Sequence, residues 1–371
     1  MTVHLIRAYP TVAIALTFTA GIAAGLAVSS SVSHAFDLYL PAGIALIATF
    51  IIAAWAIRAS DRVSLMLLFI STGVFCSISH SLASAGFQPA ATGRSVAALS
   101  SMIMGMPFED SNAAALVNAL VTGDRSWLSA DTAAAFRTSG ASHILALSGL
   151  HLGIIYLILG YATSILGNSP GARTLRSIII VSLSGTYTFI TGASPSLVRA
   201  FLFILLSESA RMLHRRSRPV NTFCAALMIQ LAITPSVLTS IGFQLSYLAM
   251  TGILFLYPRL KAWFPETDKP AETEAGKHIA ILLPEKLWDA AALAISCQLF
   301  TGTLAWLRFG TFPKYFLVTN ILAMPLTSIL MTLAVPAIVL QAAGLCPEFL
   351  ITLTSHTASA LIFIMNVISG L

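Results

Sequence analysis

Long apolar runs recur along this chain, at residues 11–28, 38–57, 64–85, 143–165, 176–191, 195–210, 220–235, 240–257, 286–306, 315–340 and 349–369. A helix needs about 20 mostly apolar residues to cross a hydrocarbon core roughly 30 Å thick, and most of these runs approach that length. None shows the dyad alternation and regular turns of a lipid-facing barrel, which leaves helices as the spanning unit. The pattern predicts an all-α fold, a polytopic transmembrane helix bundle of about 10–11 helices. The pairs that divide near Thr191 and Pro235 are short, so re-entrant hairpins are the alternative to full spans there.

Two hydrophilic stretches interrupt the pattern and suggest three regions: N-terminal transmembrane helices over 1–85, a short external segment over 86–142, and a second transmembrane domain over 143–371. Residues 86–142 contain Pro89, Gly93, Arg94, Glu109, Asp110, Asp124, Arg125, Asp131 and Arg137. Within them Ala113, Leu116, Val117 and Leu120 recur at helical spacing, which predicts an amphipathic surface helix beginning at Asp110 or Ser111, either a competent N-cap. Residues 258–285 mix prolines with Glu266, Asp268, Lys269, Glu272, Glu274 and Lys277 and read as a flexible loop.

Composition supports the membrane assignment. Hydrophobic residues make up 57% of the chain and charged residues 9%, against about 25% charged in an ordinary soluble domain. That is too little charge to coat a globule of this size. The first run follows His4 and Arg7 but is too long for a signal-peptide core, and further spans follow it directly. The net charge of +6 reports topology before it reports a polyanionic partner. Arg7, the pair Arg58 and Arg62, the pair Arg173 and Arg176, the cluster Arg211, His214, Arg215, Arg216 and Arg218, and the pair Arg259 and Lys261 all fall on one side if the N-terminus is cytoplasmic. Residues 29–37 carry no Lys or Arg, and an odd span count places the C-terminus outside. Cys76, Cys224, Cys297 and Cys346 have no metal-like spacing and read as small buried hydrophobes.

Three constellations could carry chemistry. In HILALSGLH, His143 to His151, a continuous helix would set Ser148 and His151 on one face beside the small-residue stripe Ala146, Gly149 and Gly153. The two histidines either cap or bridge to neighbouring backbone carbonyls, or these polar groups face a water-filled path, since polar groups at membrane depth usually face the bundle interior. In TGASPSLVRA, Thr191 to Ala200, Gly192 permits a break, Ser194 can cap, Pro195 suits the first helical position and Arg199 lies just over one turn inside. A helix N-terminus at membrane depth collects unpaired N–H groups and positive dipole, and a guanidinium there either meets a passing phosphate or braces local carbonyls. Gln244, Ser246, Gln298 and Asn320 complete a set of polar inner faces, though each singly is more often an interhelical hydrogen bond than a substrate ligand.

The strings ALVTGDR (Ala119 to Arg125), FRTSGASHILALSGLH (Phe136 to His151), TGASPSLVRA, GFQLSYLAMTG (Gly242 to Gly252) and NILAMP (Asn320 to Pro325), in this order, resemble the membrane competence domain of the ComEC family. The resemblance runs over roughly residues 115–335 and makes the third region a competence-type channel domain. It implies a multi-pass protein of the bacterial inner (cytoplasmic) membrane that passes single-stranded DNA inward during natural transformation. The partners it implies are a DNA receptor on the outer side and a cytoplasmic motor or DNA-binding protein; self-association is left open. Arg199, Ser194, Ser196, His143, Ser148, His151, Gln244 and Asn320 are then the expected lining of the DNA path, with no catalytic residue, metal or cofactor. Longer family members carry an OB-like barrel and a metallo-β-lactamase-like nuclease domain. The gap between Ala85 and Ala113 is too short for that barrel, and no HxHxDH cluster precedes Leu371, so strand degradation is expected of another protein. A secondary transporter of a smaller anionic solute is the alternative, since it would use the same broken helix and Arg199. An intramembrane enzyme built on His143, Ser148 and His151 lacks an acidic partner in the same run.

Overall fold

The computed structural model describes residues 10–31, 39–59, 62–84, 92–167, 169–264, 275–310 and 314–370. Arg7, Pro89, Glu266, Asp268, Lys269, Glu272, Glu274 and most of the charge-free stretch 29–37 lie outside the described residues. The described residues form fifteen α-helices with two short 3-10 turns and no strand. They are α1 (Pro10–Ser30), α2 (Tyr39–Ala59), α3 (Arg62–Ser84), α4 (Thr92–Met104), α5 (Ser111–Thr122), α6 (Ala130–Thr138), α7 (Gly149–Ala162), α8 (Pro170–Ile190) and α9 (Pro195–Met212). The remainder are α10 (Pro219–Ile233), α11 (Ile241–Phe255), α12 (Tyr257–Lys261), α13 (Ala275–Phe309), α14 (Phe316–Ala342) and α15 (Glu348–Ser369).

Each of the eleven apolar runs forms a helix, which makes the protein an all-α polytopic bundle. Among the described residues six helices are long and apolar enough to cross a membrane: α1, Val63–Leu82 of α3, α7 with its 3-10 extension to Leu166, Pro284–Phe309 of α13, α14 and α15. Their outward faces carry large apolar side chains such as Leu157, Ile165, Val339 and Phe363, the surface a hydrocarbon solvent accepts without penalty.

The structure corrects the sequence reading in three places. The run 143–165 does not begin as a helix at His143: residues 142–146 form turns and bends, and α7 starts at Gly149. The stretch 258–285 is not loop throughout, because α12 occupies Tyr257–Lys261 and α13 begins at Ala275 and runs through Pro284. Nor is α5 a surface helix, for every residue from Ala113 to Thr122 is buried. Alanines at 114, 115 and 119 close the face that the spacing left polar, and a helix apolar all round belongs inside protein. Its 12 residues, roughly 18 Å of helix, are also too few to cross a bilayer.

The chain divides into two compact units that do not follow the three regions read from hydropathy. The first comprises residues 1–90, 169–181 and 198–244, the second 91–168, 182–197 and 245–371. In the first unit α1 and α3 cross at backbone contact. A Cβ built on Gly21 would lie 2.1 Å from the Ile70 carbonyl oxygen, and one on Gly73 would lie 2.5 Å from that of Phe18. Gly21 and Gly25 are four apart, the GxxxG spacing that places both on the contact face. Also in this unit, the fully buried Glu208 of α9 accepts from Ser177 Oγ of α8 at 2.7 Å and pairs with Arg211 Nη1 at 2.9 Å.

The second unit is built around α5. Leu116, Val117 and Leu120 share a core with Phe136 of α6, Leu330 and Met331 of α14, and Leu361 and Met365 of α15. The N-cap Asp110 of α5 accepts from Asn112 N–H at 2.9 Å and from Ser359 Oγ of α15 at 3.3 Å.

The glycine crossing yields a direct expectation. Gly21→Ala should destabilise the folded protein by about 1–3 kcal/mol, the range for overpacking a tight contact. Gly43→Ala, where nothing lies within 4 Å of the added carbon, should be tolerated. Thermal unfolding of the two variants in detergent decides the matter; equal midpoints would show that the crossing yields freely.

Candidate functional site

A turn and a helix start in the second unit bring three of the five sequence strings together. α5 ends at Gly123, whose φ of +80° is left-handed, and its N–H closes onto the Ala119 carbonyl. A Cβ on Gly123 would meet Leu147 Cδ1 at 2.7 Å, so the turn leans directly on the segment before α7. Asn118, fully buried, donates from Nδ2 to the Asp124 carbonyl at 3.2 Å. Thr122 Oγ1 donates to the Asn118 carbonyl at 2.8 Å and accepts from Asp124 N–H at 3.1 Å. Arg125 Nε donates to the Leu145 carbonyl at 3.0 Å, which ties ALVTGDR to HILALSGLH. Tyr187 of α8 donates to the Val121 carbonyl at 2.7 Å.

The Asp124 carboxylate gathers donors. It accepts from Ser126 N–H at 3.0 Å and from Ser100 Oγ at 3.3 Å, and the nearby Trp127 side chain also favours its charged form. The Ser126 N–H and these companions hold the carboxyl below the usual carboxylate range.

Ser148 is the N-cap of α7, and His151 is its third residue. The Ser148 N–H donates to His151 Nδ1 at 3.0 Å, and Ser148 Oγ accepts from Leu150 N–H at 3.3 Å. This is a capping box in which histidine replaces the usual Glu or Gln. A nitrogen that accepts a backbone N–H holds no proton in that direction, so the neutral ring carries its proton on Nε2. His151 is 1% exposed, and its Nε2 has no hydrogen-bond partner in the structure. His143, exposed, lies with Nδ1 3.2 Å from the Gly140 carbonyl, and the Asn320 side chain lies near the same ring. Thr319, next to Asn320, donates to the Ser139 carbonyl at 2.7 Å, which fixes the start of α14 against the turn that carries His143. Asn320 Oδ1 is buried without a partner. His143, Ser148, His151 and Asn320 therefore belong to one neighbourhood.

The TGASPS segment folds as its residues suggest. Gly192 has φ +89° and Ala193 φ +48°, and Ala193 N–H reaches the Thr188 carbonyl at 2.8 Å, a left-handed finish to α8. Ser194 Oγ accepts from Leu197 N–H at 3.4 Å, and α9 begins at Pro195 with Ser196 half-buried behind it. Ser194 and Ser196 group with the second unit, whereas Arg199 and Gln244 group with the first. Arg199 is 8% exposed. Gln244 uses its amide locally, donating from Nε2 to the Leu238 carbonyl at 2.8 Å.

Sequence reasoning missed Asn118 and Glu208. Asn118 is a lone polar residue inside an apolar helical run and Glu208 the one acid of a mostly apolar helix, a signal in itself at membrane depth. Among the described residues no three His, Cys, Asp or Glu side chains group closely enough to hold a metal ion.

A family model described as Competence protein matches residues 120–371. Over 132 residues the chain is 33% identical to ComE operon protein 3 of Bacillus subtilis (strain 168), a stretch covering 36% of this chain and 17% of that protein. The chain thus spans less than a fifth of that relative's length. No solved structure matches significantly.

The cap sets an expectation for His151. Replacement by Leu removes the acceptor for a buried N–H, at about 1–3 kcal/mol, and should lower the unfolding midpoint. His151→Gln, a standard residue at this position of the box, should retain most of the stability. Matching losses in both variants, measured by thermal unfolding in detergent, would show that the ring matters for packing rather than capping.

Proposed function

This chain belongs to the Competence protein family, and we propose that it acts in natural transformation as a channel that passes single-stranded DNA across the bacterial cytoplasmic membrane. Arg199 carries the reading. It is a guanidinium buried just over one turn inside a helix whose N-terminus follows a backbone break. Ionisable groups within apolar helices are costly and mark solute pathways by default. A translocating strand brings one phosphate per nucleotide, so its path must lower the cost of anionic charge without holding any phosphate tightly. One guanidinium with a helix N-terminus meets that demand, whereas a dense basic cluster would trap the strand.

In this reading the N-terminus and residues 211–218 face the cytoplasm and residues 86–142 face outward, where a DNA receptor delivers the strand. A cytoplasmic motor or DNA-binding protein draws it through. The chain itself performs no bond cleavage: the polar groups beside α7 serve helix ends and a path rather than a hydrolytic centre.

A deletion strain complemented with variants tests the proposal. Arg199→Lys should retain part of the transformation by linear DNA, and Arg199→Gln, at normal membrane abundance, should lose most of it. Full transformation with abundant Arg199→Gln would remove the arginine from the path, and full transformation in the deletion strain would defeat the channel itself in favour of a smaller anionic solute.

Topology is tested separately. In a cysteine-free background, Arg216→Cys should react with a membrane-impermeant thiol reagent only after the cells are opened. Labelling of intact cells would invert the orientation.

A further inference from the structure

The turn after α5 carries an exposed tryptophan and, two residues before it, a guanidinium fixed along its inner edge. We propose that this turn, Asp124 to Leu128, is a receiving point for single-stranded DNA, with Trp127 stacking on a base and Arg125 bonding a neighbouring phosphate. The proposal rests on the strand-conducting reading and adds to it the surface where the strand is first held.

Trp127 is 54% exposed, on a turn closed by Leu128 N–H to the Arg125 carbonyl at 3.1 Å. An exposed tryptophan in a membrane protein commonly sits in the interfacial belt, with its ring in the apolar zone and its N–H toward the headgroups. Here the side chain instead lies close enough to the Asp124 carboxylate to favour its charged form. More than half of the residue remains accessible, enough to offer a ring face to a base. Asp124 is itself committed to Ser126 N–H and Ser100 Oγ, so its negative charge is met by protein donors rather than turned on an incoming phosphate.

Arg125 is anchored in the same manner. Its Nε is bound to the Leu145 carbonyl, and the residue is exposed, which leaves the two terminal nitrogens to meet solvent. A guanidinium already oriented by one bond loses less freedom on binding phosphate than a mobile lysine does. A stacking plane beside a cationic fork is the pairing by which proteins hold single strands without reading sequence. Duplex DNA hides its base faces and offers only phosphates, so the ring selects the unpaired strand. A single ring and a single fork bind weakly, as suits a strand that must move on.

The test uses the full chain in nanodiscs of zwitterionic lipid, with a fluorescently labelled oligothymidylate as the probe. The protein should bind this probe in preference to a duplex of equal length. Trp127→Ala should weaken binding roughly tenfold, Trp127→Phe should stay near the parent, and Arg125→Lys should fall between. Trp127 is exposed, so its replacement does not endanger the fold. Unchanged affinity in both Trp127→Ala and Arg125→Ala would overturn the proposal, as would inorganic polyphosphate competing as well as the oligonucleotide does. Tryptophan emission at position 127, isolated by difference from Trp127→Phe, should quench on adding the strand. Blue-shifted emission indifferent to the strand would make Trp127 a lipid-belt residue and refute the assignment. Because binding is read without translocation, lost binding in the variants still supports the receiving point even if a deletion strain transforms normally and the channel reading fails.

Discussion

Every helix that starts, stops or breaks inside a bilayer or a dry protein interior leaves backbone N–H and C=O groups that water cannot reach. That obligation organises this protein. The residues that stand out in its sequence are largely those that meet it: Ser148 and His151 at the start of α7, Ser194 at the start of α9, Gln244 beside the 3-10 turn Pro235–Thr239, and Asn118 with Thr122 at the end of α5. Where the obligation is left open the structure is informative as well. His151 Nε2 and Asn320 Oδ1, one a donor and the other an acceptor, remain unpaired in the same polar neighbourhood. Such a pair suits ordered water or a passing polar group.

Capping and function are not rival explanations for these residues. A side chain spent on one backbone group is immobilised by it, and its remaining polar atoms are then held in a fixed direction. His151 is bound at Nδ1 and open at Nε2, and Arg125 is bound at Nε and open at its terminal nitrogens. Preorganisation of this kind lowers the entropy lost when a ligand arrives.

The start of α9 was legible because glycine, serine and proline each carry a local rule, and all three rules agree over Gly192, Ser194 and Pro195. The start of α7 was not. Histidine is uncommon at the third position of a capping box, so SGLH reads as the interior of a longer helix, with Ser148 and His151 merely on one face of it. α5 was misjudged because periodicity counts alanine as neutral, while three-dimensional packing treats it as small and apolar. The grouping of residues 91–168 with 245–371 rests on contacts between distant parts of the chain, to which no local pattern points. The backbone approach of α1 and α3 is by contrast readable from the four-residue spacing of Gly21 and Gly25.

The burial of α5 has a consequence for how the protein is made. Its N-cap Asp110 bonds to Ser359, which lies 249 positions later in the chain. At a synthesis rate of 5–20 residues per second, that separation amounts to about ten to fifty seconds. For most of that interval an apolar helix too short to span the membrane has emerged while α14 and α15, which enclose it, have not. A nascent chain in that condition needs temporary shelter at the translocation machinery or in the headgroup zone, and the second unit cannot close until its last helix is delivered.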